Sequence, residues 1–312
     1  MKKALIQMHL AVLLWGFTGI LGRLITLSAP VLVWYRMGLT ALFIGIIISY
    51  RKLWQKVSAV DMRKIIGIGL LFAVHWVAFY ASIKLANASI ALVCLSTASV
   101  FTAVLDPLLN RKKINPLEVG LSLIAILGVY FIYAMYPAEQ SNPAAAHTME
   151  NFPLGLGLGI LASVISAIFT VFNKPLTSKY EPRLLVFYEM LTGFIFLTLL
   201  APWYLHQYPG EKVLPMDWDI VWIFCLVYFC TVLGQSLAMS ALKHLSTFTV
   251  TFSVNLEPVY GIILAFIFFK EHEQLSGGFY VGMGLIALSV LLQVTLLIRN
   301  SRKQKMLASQ PR

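Results

Sequence analysis

Two ionisable residues lie in the middle of long apolar stretches of the sequence. Glu257 is ten residues into the run 247–269, and His75 is ten residues into the run 65–83. A helix rises about 1.5 Å per residue, so both would lie about 15 Å deep if these runs cross a bilayer. A carboxyl at that depth predicts a hydrated cavity, in which Glu257 takes up a proton or contacts a cationic group. His75 is a second candidate, although a lone histidine can also be neutral and hydrogen-bonded to a neighbour.

Pro258 strengthens the case for Glu257, because proline has no backbone N–H to donate within a helix. The carbonyl of Val254 therefore loses its helical partner, and we predict a helix break at Pro258. Irregular backbone at membrane depth is tolerated only where it is buried in protein or lines a wet cavity. Asn255, beside this break, is predicted to bind substrate together with Glu257.

Arg36 and Glu189 are predicted to line a gate or vestibule. Arg36 is five residues from one end of the run 31–49, and Glu189 is five residues into the run 184–205. Each is about 8 Å deep but from opposite faces, so about 15 Å of depth argues against a direct ion pair. Two alternatives remain open: Arg36 extends to the membrane surface as an anchor, or Glu189 pairs with Lys174.

Neutral polar and aromatic side chains on neighbouring runs complete the predicted substrate site. The hydroxyls of Ser96 and Thr97 lie at a depth comparable to that of Glu257, and the aromatic residues could form walls, although such residues also face lipid or pack. The remaining predicted binding residues are Trp15, Trp76, Tyr80 and Gln235. The sequence has no P-loop and no His-Glu-x-x-His motif, so no catalytic residues, metal or cofactor are predicted.

The elements that hold these residues are apolar runs long enough to cross a membrane. Of 312 residues, 59% are hydrophobic and 12% are charged, whereas soluble domains have about 25% charged residues. A span needs about 20 apolar residues, so ten spans leave no room for a sizeable soluble domain. This composition excludes a soluble enzyme or DNA-binding protein. The predicted spans are 4–24, 31–49, 65–83, 88–109, 117–136, 153–173, 184–205, 219–242, 247–269 and 277–298.

The basic residues fix an orientation for these spans. With the N-terminus inside, 19 of the 24 Lys and Arg residues lie on the cytoplasmic side and three on the outer side. This asymmetry predicts that both termini are cytoplasmic. The protein is expected in the plasma (inner) membrane of the cell. It also accounts for the net charge of +11 without a nucleic-acid partner. The cluster Glu271–Glu273 is expected to be a solvated outer loop, and Arg23 is expected to lie at the interface.

The sequence also contains a weak internal repeat. Residues 81–85 resemble residues 240–244, and the same offset of 159 places Ser96 on Asn255. An odd number of helices in each half inverts the second half, which predicts a midplane site and alternating access. The fold class is therefore an all-α polytopic membrane protein of ten helices in two inverted five-helix repeats. The first repeat is 1–140, the second is 150–300, and a basic cytoplasmic tail follows at 301–312.

The chain resembles the EamA-type transporters of the drug/metabolite transporter superfamily. The resemblance rests on Trp15-Gly16, on the run from Ser96 to Thr102, and on Asn255-Leu256-Glu257-Pro258 followed by Lys270-Glu271. It implies a secondary transporter, often an exporter of amino acids or other small metabolites. It also implies that the fourth and ninth spans are central and the fifth and tenth are peripheral.

These observations together predict a secondary transporter that moves a small organic metabolite by alternating access, most simply outward. The alternatives are a facilitated importer of a small metabolite and a polytopic membrane enzyme. The expected partners are the substrate, the lipid bilayer and a proton or other coupling ion. The protein is expected to be a monomer or a homodimer, and Gly278-x-x-x-Gly282 in the tenth span is a small-residue packing face.

Overall fold

A computed structural model describes most of the chain as a bundle of helices. The described residues are 2–109, 116–134, 151–177, 179–242, 253, 256–273, 275 and 277–308. Within them every regular element is helical. The elements are α1 (Lys2–Leu24), α2 (Ala29–Tyr50), α3 (Ala59–Leu85), α4 (Ala88–Ser96), α5 (Ala98–Leu109), α6 (Pro116–Ala134), α7 (Phe152–Thr177), α8 (Pro182–Gln207), α9 (Asp219–Cys225), a π-helical stretch (Leu226–Leu233), α10 (Gly234–Leu242), α11 (Glu257–Phe269), a 3₁₀ turn (Glu271–Glu273) and α12 (Gly277–Ala308).

Among the described residues, seven helical segments are long and apolar enough to cross a membrane. They are Lys3–Leu24, Ala29–Tyr50, Ala59–Leu85, Ala88–Leu109, Phe152–Thr177, Pro182–Gln207 and Asp219–Ala238. Shorter apolar helices, Leu123–Ala134, Val259–Phe269 and Gly277–Ser289, occupy the predicted fifth, ninth and tenth spans. The prediction of an all-helical polytopic membrane protein is confirmed.

The helix starts follow from local capping. The side-chain oxygen of Asn87 accepts a hydrogen bond from the backbone amide of Ile90 at 2.8 Å, and the Ser58 hydroxyl accepts one from the backbone amide of Asp61 at 3.2 Å. Both contacts satisfy an amide in the first turn that has no partner within its own helix. Proline in the first turn of α2 and of α8 needs no such partner. Short polar segments therefore suffice to separate long apolar helices.

The helix of the fourth span is broken at Thr97, which lies between α4 and α5. The Thr97 hydroxyl donates to the carbonyl of Cys94 at 2.6 Å, so the side chain satisfies a backbone group at the break. In the second half, α11 begins at Glu257, with Pro258 in its first turn. The starts of α5 and α11 are 159 residues apart, which is the offset of the sequence repeat.

The eighth span contains the π-helical stretch between α9 and α10. There the Thr231 hydroxyl donates to the carbonyl of Leu226, five residues earlier, at 3.0 Å. Gly234 follows at once, and a Cβ at that position would lie 2.7 Å from Nε1 of Trp15. The absence of a side chain at Gly234 is thus what lets α1 pack closely against the eighth span. Irregular turns of this kind occur often at functional sites.

α3 and α8 lie close together at Gly69. A Cβ added at Gly69 would lie 2.6 Å from the carbonyl oxygen of Glu189 and 2.8 Å from Cβ of Thr192. The first of these is a backbone atom, which cannot move aside without shifting the helix. Gly67, two residues earlier on the same helix, has nothing within 4 Å of its added Cβ.

We expect Gly69→Ala to destabilise the protein by about 1–3 kcal/mol, because overpacking forces α3 and α8 apart. Gly67→Ala removes the same backbone freedom without a clash and serves as the matched control. The measurement is the midpoint of thermal unfolding of the two purified proteins in one detergent. Equal midpoints for the two variants would show that α3 and α8 do not pack at Gly69.

Candidate functional site

Arg36 lies at the centre of a buried cluster formed by α2, α3 and the π-helical stretch. Its side chain is 5% exposed. Nη1 donates to the hydroxyl of Tyr80 at 2.5 Å, and Nε donates to Oγ1 of Thr231 at 3.2 Å. Arg36 therefore points into the protein and not toward the membrane surface. We call Arg36, Trp76, Tyr80 and Thr231 the arginine cluster.

The guanidinium of Arg36 also lies over an aromatic ring. Its central carbon is 3.8 Å from the centroid of the Trp76 ring. A desolvated contact of this kind is worth about 2 kcal/mol or more. An arginine has five N–H donors, and the bonds to Tyr80 and Thr231 account for two within the described part of the chain. The stacked, planar guanidinium is thus held ready for an anionic group such as a carboxylate.

Glu257 lies in the first turn of α11, within electrostatic reach of Arg36 and Tyr80. Its side chain is partly buried. The first turn of a helix favours a negative charge, because the amides there point toward it. The structure therefore brings a cationic and an acidic side chain from different halves of the chain into one interior region.

His75 makes a different contact on another face of α3. Its Nδ1 is 2.7 Å from the carbonyl oxygen of Ala162 on α7, to which the Nδ1–H donates. The ring also meets Phe169 edge-on, with 5.4 Å between the two centroids. These contacts match the alternative in which His75 is hydrogen-bonded to a neighbour and helps to pack α3 on α7.

Ser96 and Thr97 bond locally at the break between α4 and α5. The Ser96 hydroxyl donates to the carbonyl of Val93 at 2.6 Å. Oγ1 of Thr97, which donates to Cys94, also lies 2.9 Å from Oγ of Ser163 on α7. The two hydroxyls thus stabilise irregular backbone and, in the case of Thr97, attach it to the second half of the chain.

The other predicted binding residues are described only in part. Trp15 is half-buried and packs against a small core cluster of α1 and α10, which consists of Met8, Ala11, Val12, Ala238 and Ala241. Asn255 lies outside the described residues, as do the side chains of Gln235 and Pro258.

Glu189 is buried on α8 and accepts a hydrogen bond from Nδ2 of Asn173 on α7 at 2.9 Å. Arg36 donates instead to Tyr80 and Thr231. The two charged residues therefore have different partners, and the side chain of Lys174 lies outside the described part of the chain. Sequence reasoning did not single out Asn173 or Thr231. Neither differs in type from many other polar residues in apolar runs, and no pattern in the sequence marks the π-helical stretch.

Glu271 is not the solvated loop residue expected from the sequence, and that expectation is wrong. Its side chain is fully buried and accepts hydrogen bonds from the amides of Ala88 at 3.2 Å and Ser89 at 2.8 Å. It also forms an ion pair with Arg23, whose guanidinium lies 4.3 Å from the centroid of the Phe269 ring. The first amides of α4 need acceptors, and a carboxylate from the second half of the chain supplies one.

Two further carboxylates join the halves at opposite ends of the bundle. Asp61, at the start of α3, accepts from the Tyr180 hydroxyl at 2.9 Å and from Lys179 at 3.3 Å. Asp219, at the start of α9, accepts from the Thr26 amide at 2.7 Å and the Thr26 hydroxyl at 2.6 Å. Each carboxylate begins the third span of its own half and binds the first connection of the other. We call these contacts the Asp61 and Asp219 latches.

The described residues contain no group of three His, Cys, Asp or Glu side chains placed to hold a metal ion. The arginine cluster together with Glu257 suits the binding of a molecule and the exchange of a proton. A buried cation, a nearby acid and an aromatic wall are groups that recognise a small charged molecule.

Comparison with known proteins shows what the chain is similar to. The model of the EamA-like transporter family matches residues 2–134 and again residues 153–295. An "uncharacterized transporter" of Archaeoglobus fulgidus is 28% identical over 205 residues, covering 65% of this chain and 68% of that protein. An "uncharacterized transporter" of Synechocystis is 26% identical over 195 residues, covering 60% of this chain and 53% of that protein.

A solved structure described as "crystal structure of protein" has a similar fold. It aligns with a TM-score of 0.59 and 16% sequence identity, over 96% of this chain and 98% of its own.

Proposed function

We propose a mechanism from the premise that the chain belongs to the EamA-like transporter family and is a multi-pass membrane transporter. It acts as a secondary transporter that exports a small organic metabolite, an amino acid or a related compound. The arginine cluster and Glu257 form the substrate site. The family assignment excludes the membrane enzyme considered from the sequence.

The observation that carries this proposal is a buried arginine that is anchored by neutral side chains and has an acid of the other half of the chain in its electrostatic field. Arg36 is anchored by Tyr80, Thr231 and Trp76, and Glu257 lies within its electrostatic reach. A zwitterion complements such a site, because its carboxylate meets the guanidinium and its ammonium group meets the acid. The ring of Trp76 covers one face of the guanidinium and limits the access of water to it, which strengthens its contact with a carboxylate.

Alternating access requires two faces that open in turn, and the two latches suit this role. The Asp61 latch lies at one end of the bundle and the Asp219 latch at the other, and each joins the two halves. Opening one face would break one latch and keep the other. Two halves related by an inverted repeat, 1–140 and 150–300, would exchange these states about a site near the midplane.

The excess of basic residues supports an orientation with both termini and the tail 301–312 in the cytoplasm. The Asp61 latch would then be at the cytoplasmic face of the inner membrane. A proton is the proposed coupling ion, carried by Glu257. A facilitated importer with the same site would differ in the direction of net flux and in having no coupling ion.

The proposal is tested with purified protein in liposomes, after its orientation has been established by protease access to a C-terminal tag. We expect counterflow of at least one zwitterionic amino acid from a metabolite panel, and net outward transport driven by a proton gradient. Counterflow without response to the gradient would favour the facilitated carrier. A panel that moves no faster than in empty liposomes would contradict the substrate class.

A further inference from the structure

A cavity lies apart from the arginine cluster, at the end of the bundle where α2 connects to α3. It is an open cleft of about 500 Å³ between the end of α2, the start of α8 and α10. Most of its wall is apolar. Its lining includes Ile46, Ile47, Leu237, Tyr50, Arg51 and Arg183.

One wall of the cleft continues along α2 toward the middle of the membrane. Leu42, Ile46 and Tyr50 are 56%, 57% and 88% exposed. A spacing of four residues places them on one face of the helix, about 6 Å apart along its axis. A continuous exposed apolar strip therefore leads from the cleft into the hydrocarbon region.

The mouth of the cleft carries two cations from different helices. Arg51 is exposed at the end of α2, and Arg183 is partly buried in the first turn of α8. Within the part of the chain that the structure describes, the ion pairs involve other residues. Exposed Lys52 and Lys56 in the next connection add to the positive charge of this end. Glu181, which precedes α8, contributes one opposing charge nearby.

Aromatic residues place this mouth at the level of the membrane interface. Trp54 is 48% exposed, and its ring packs against Phe187 of α8, with 5.3 Å between the centroids. Trp and Tyr are concentrated at that level, where an apolar ring and a polar tip are both satisfied. The two arginines at the cleft therefore lie at the depth of lipid phosphates.

We infer that this cleft is a binding site for an anionic phospholipid. The phosphate lies between Arg51 and Arg183, to which guanidinium groups donate well. One acyl chain follows the strip formed by Tyr50, Ile46 and Leu42. Basic pockets between transmembrane helices bind anionic headgroups by this combination of charge and apolar contact. The inference depends on the membrane location of the chain and on no step of transport.

The test is native mass spectrometry of the full-length protein after exchange into micelles that contain phosphatidylglycerol or phosphatidylcholine. We expect one phosphatidylglycerol to be retained with at least about tenfold preference. The double variant R51Q/R183Q should lose this preference. The matched control is R63Q. Arg63 is exposed near the start of α3 and does not line the cleft, so this variant should retain the preference.

A second variant tests the apolar strip separately from the two arginines. Ile46→Trp fills the apolar strip and leaves both arginines in place, so it should also reduce lipid retention. Equal retention of the two lipids by the native protein would overturn the inference. So would an R63Q defect as large as that of R51Q/R183Q, or native-level retention by Ile46→Trp. Displacement of the lipid by millimolar inorganic phosphate would assign the cleft to soluble anions instead.

Discussion

Arg36→Gln should reduce transport about 100-fold while the protein still inserts and folds. The substitution removes the charge that would meet a substrate carboxylate and the contact with the Trp76 ring. Hydrogen bonds to charged groups are worth about 1.5–3 kcal/mol, and about 2.8 kcal/mol corresponds to a hundredfold change. The measurement is the initial rate of counterflow in liposomes, normalised to the amount of folded protein.

Two further variants show which property of Arg36 matters. Arg36→Lys keeps the charge but loses the planar fork and the stacking, so it should recover only part of the activity. Tyr80→Phe keeps the ring and removes the hydroxyl that accepts from Nη1 at 2.5 Å. It should cause a smaller loss than Arg36→Gln, because Tyr80 positions the guanidinium. Native rates in folded Arg36→Gln protein would remove Arg36 from the substrate site.

The side chain of Arg36 shows what cannot be predicted from the depth of a residue in its apolar run. Its place in the run 31–49 put the backbone about 8 Å from one face, and an arginine at that depth can extend either outward or inward. The direction is decided by Trp76 and Tyr80 on α3 and by Thr231 in the eighth span. Sequence alone gives the depth of each helix position but not which helices face one another.

The roles of Glu271, Asp61 and Asp219 depend on contacts between distant parts of the chain, which the neighbouring residues in the sequence do not indicate. A carboxylate in a short charged segment resembles a solvated loop, and only the position of α4 makes Glu271 a buried cap. Asp61 and Asp219 are 158 residues apart, close to the offset of the internal repeat. The repeat could therefore have drawn attention to both residues, although their partners depend on the packing of the two halves.

The apolar runs were sufficient to predict the helices, because a bilayer requires about 20 apolar residues and internally bonded backbone for each crossing. They could not predict the π-helical stretch at Leu226–Leu233, which is one irregular turn within an otherwise ordinary span. The break at Thr97 has no proline at that position, and the hydroxyl bond to Cys94 satisfies the backbone there. Irregular backbone of this kind depends on contacts that no local pattern records.

Glu257→Gln is expected to abolish transport driven by a proton gradient and to remove the pH dependence of substrate binding. Glutamine keeps the shape of the side chain but cannot titrate, so the substitution separates proton chemistry from packing. If the ionised carboxyl binds the cationic part of the substrate, native affinity falls as the pH is lowered and the carboxyl becomes protonated. The variant, which has no proton to gain, should bind weakly at every pH. The measurement is substrate affinity and initial rate across a pH series.

Counterflow separates a coupling defect from a loss of the carrier itself. Exchange of substrate across the membrane needs no net proton movement, so Glu257→Gln protein should retain residual counterflow at high substrate concentration while net uphill transport is lost. The matched control is Glu211→Gln, in the connection between α8 and α9, which removes a carboxylate away from the arginine cluster and should keep the native pH profile. If well-expressed Glu257→Gln protein carries out gradient-driven transport with that same profile, Glu257 neither carries the coupling proton nor binds the substrate cation. Its negative charge would then serve only to offset the buried positive charge of Arg36.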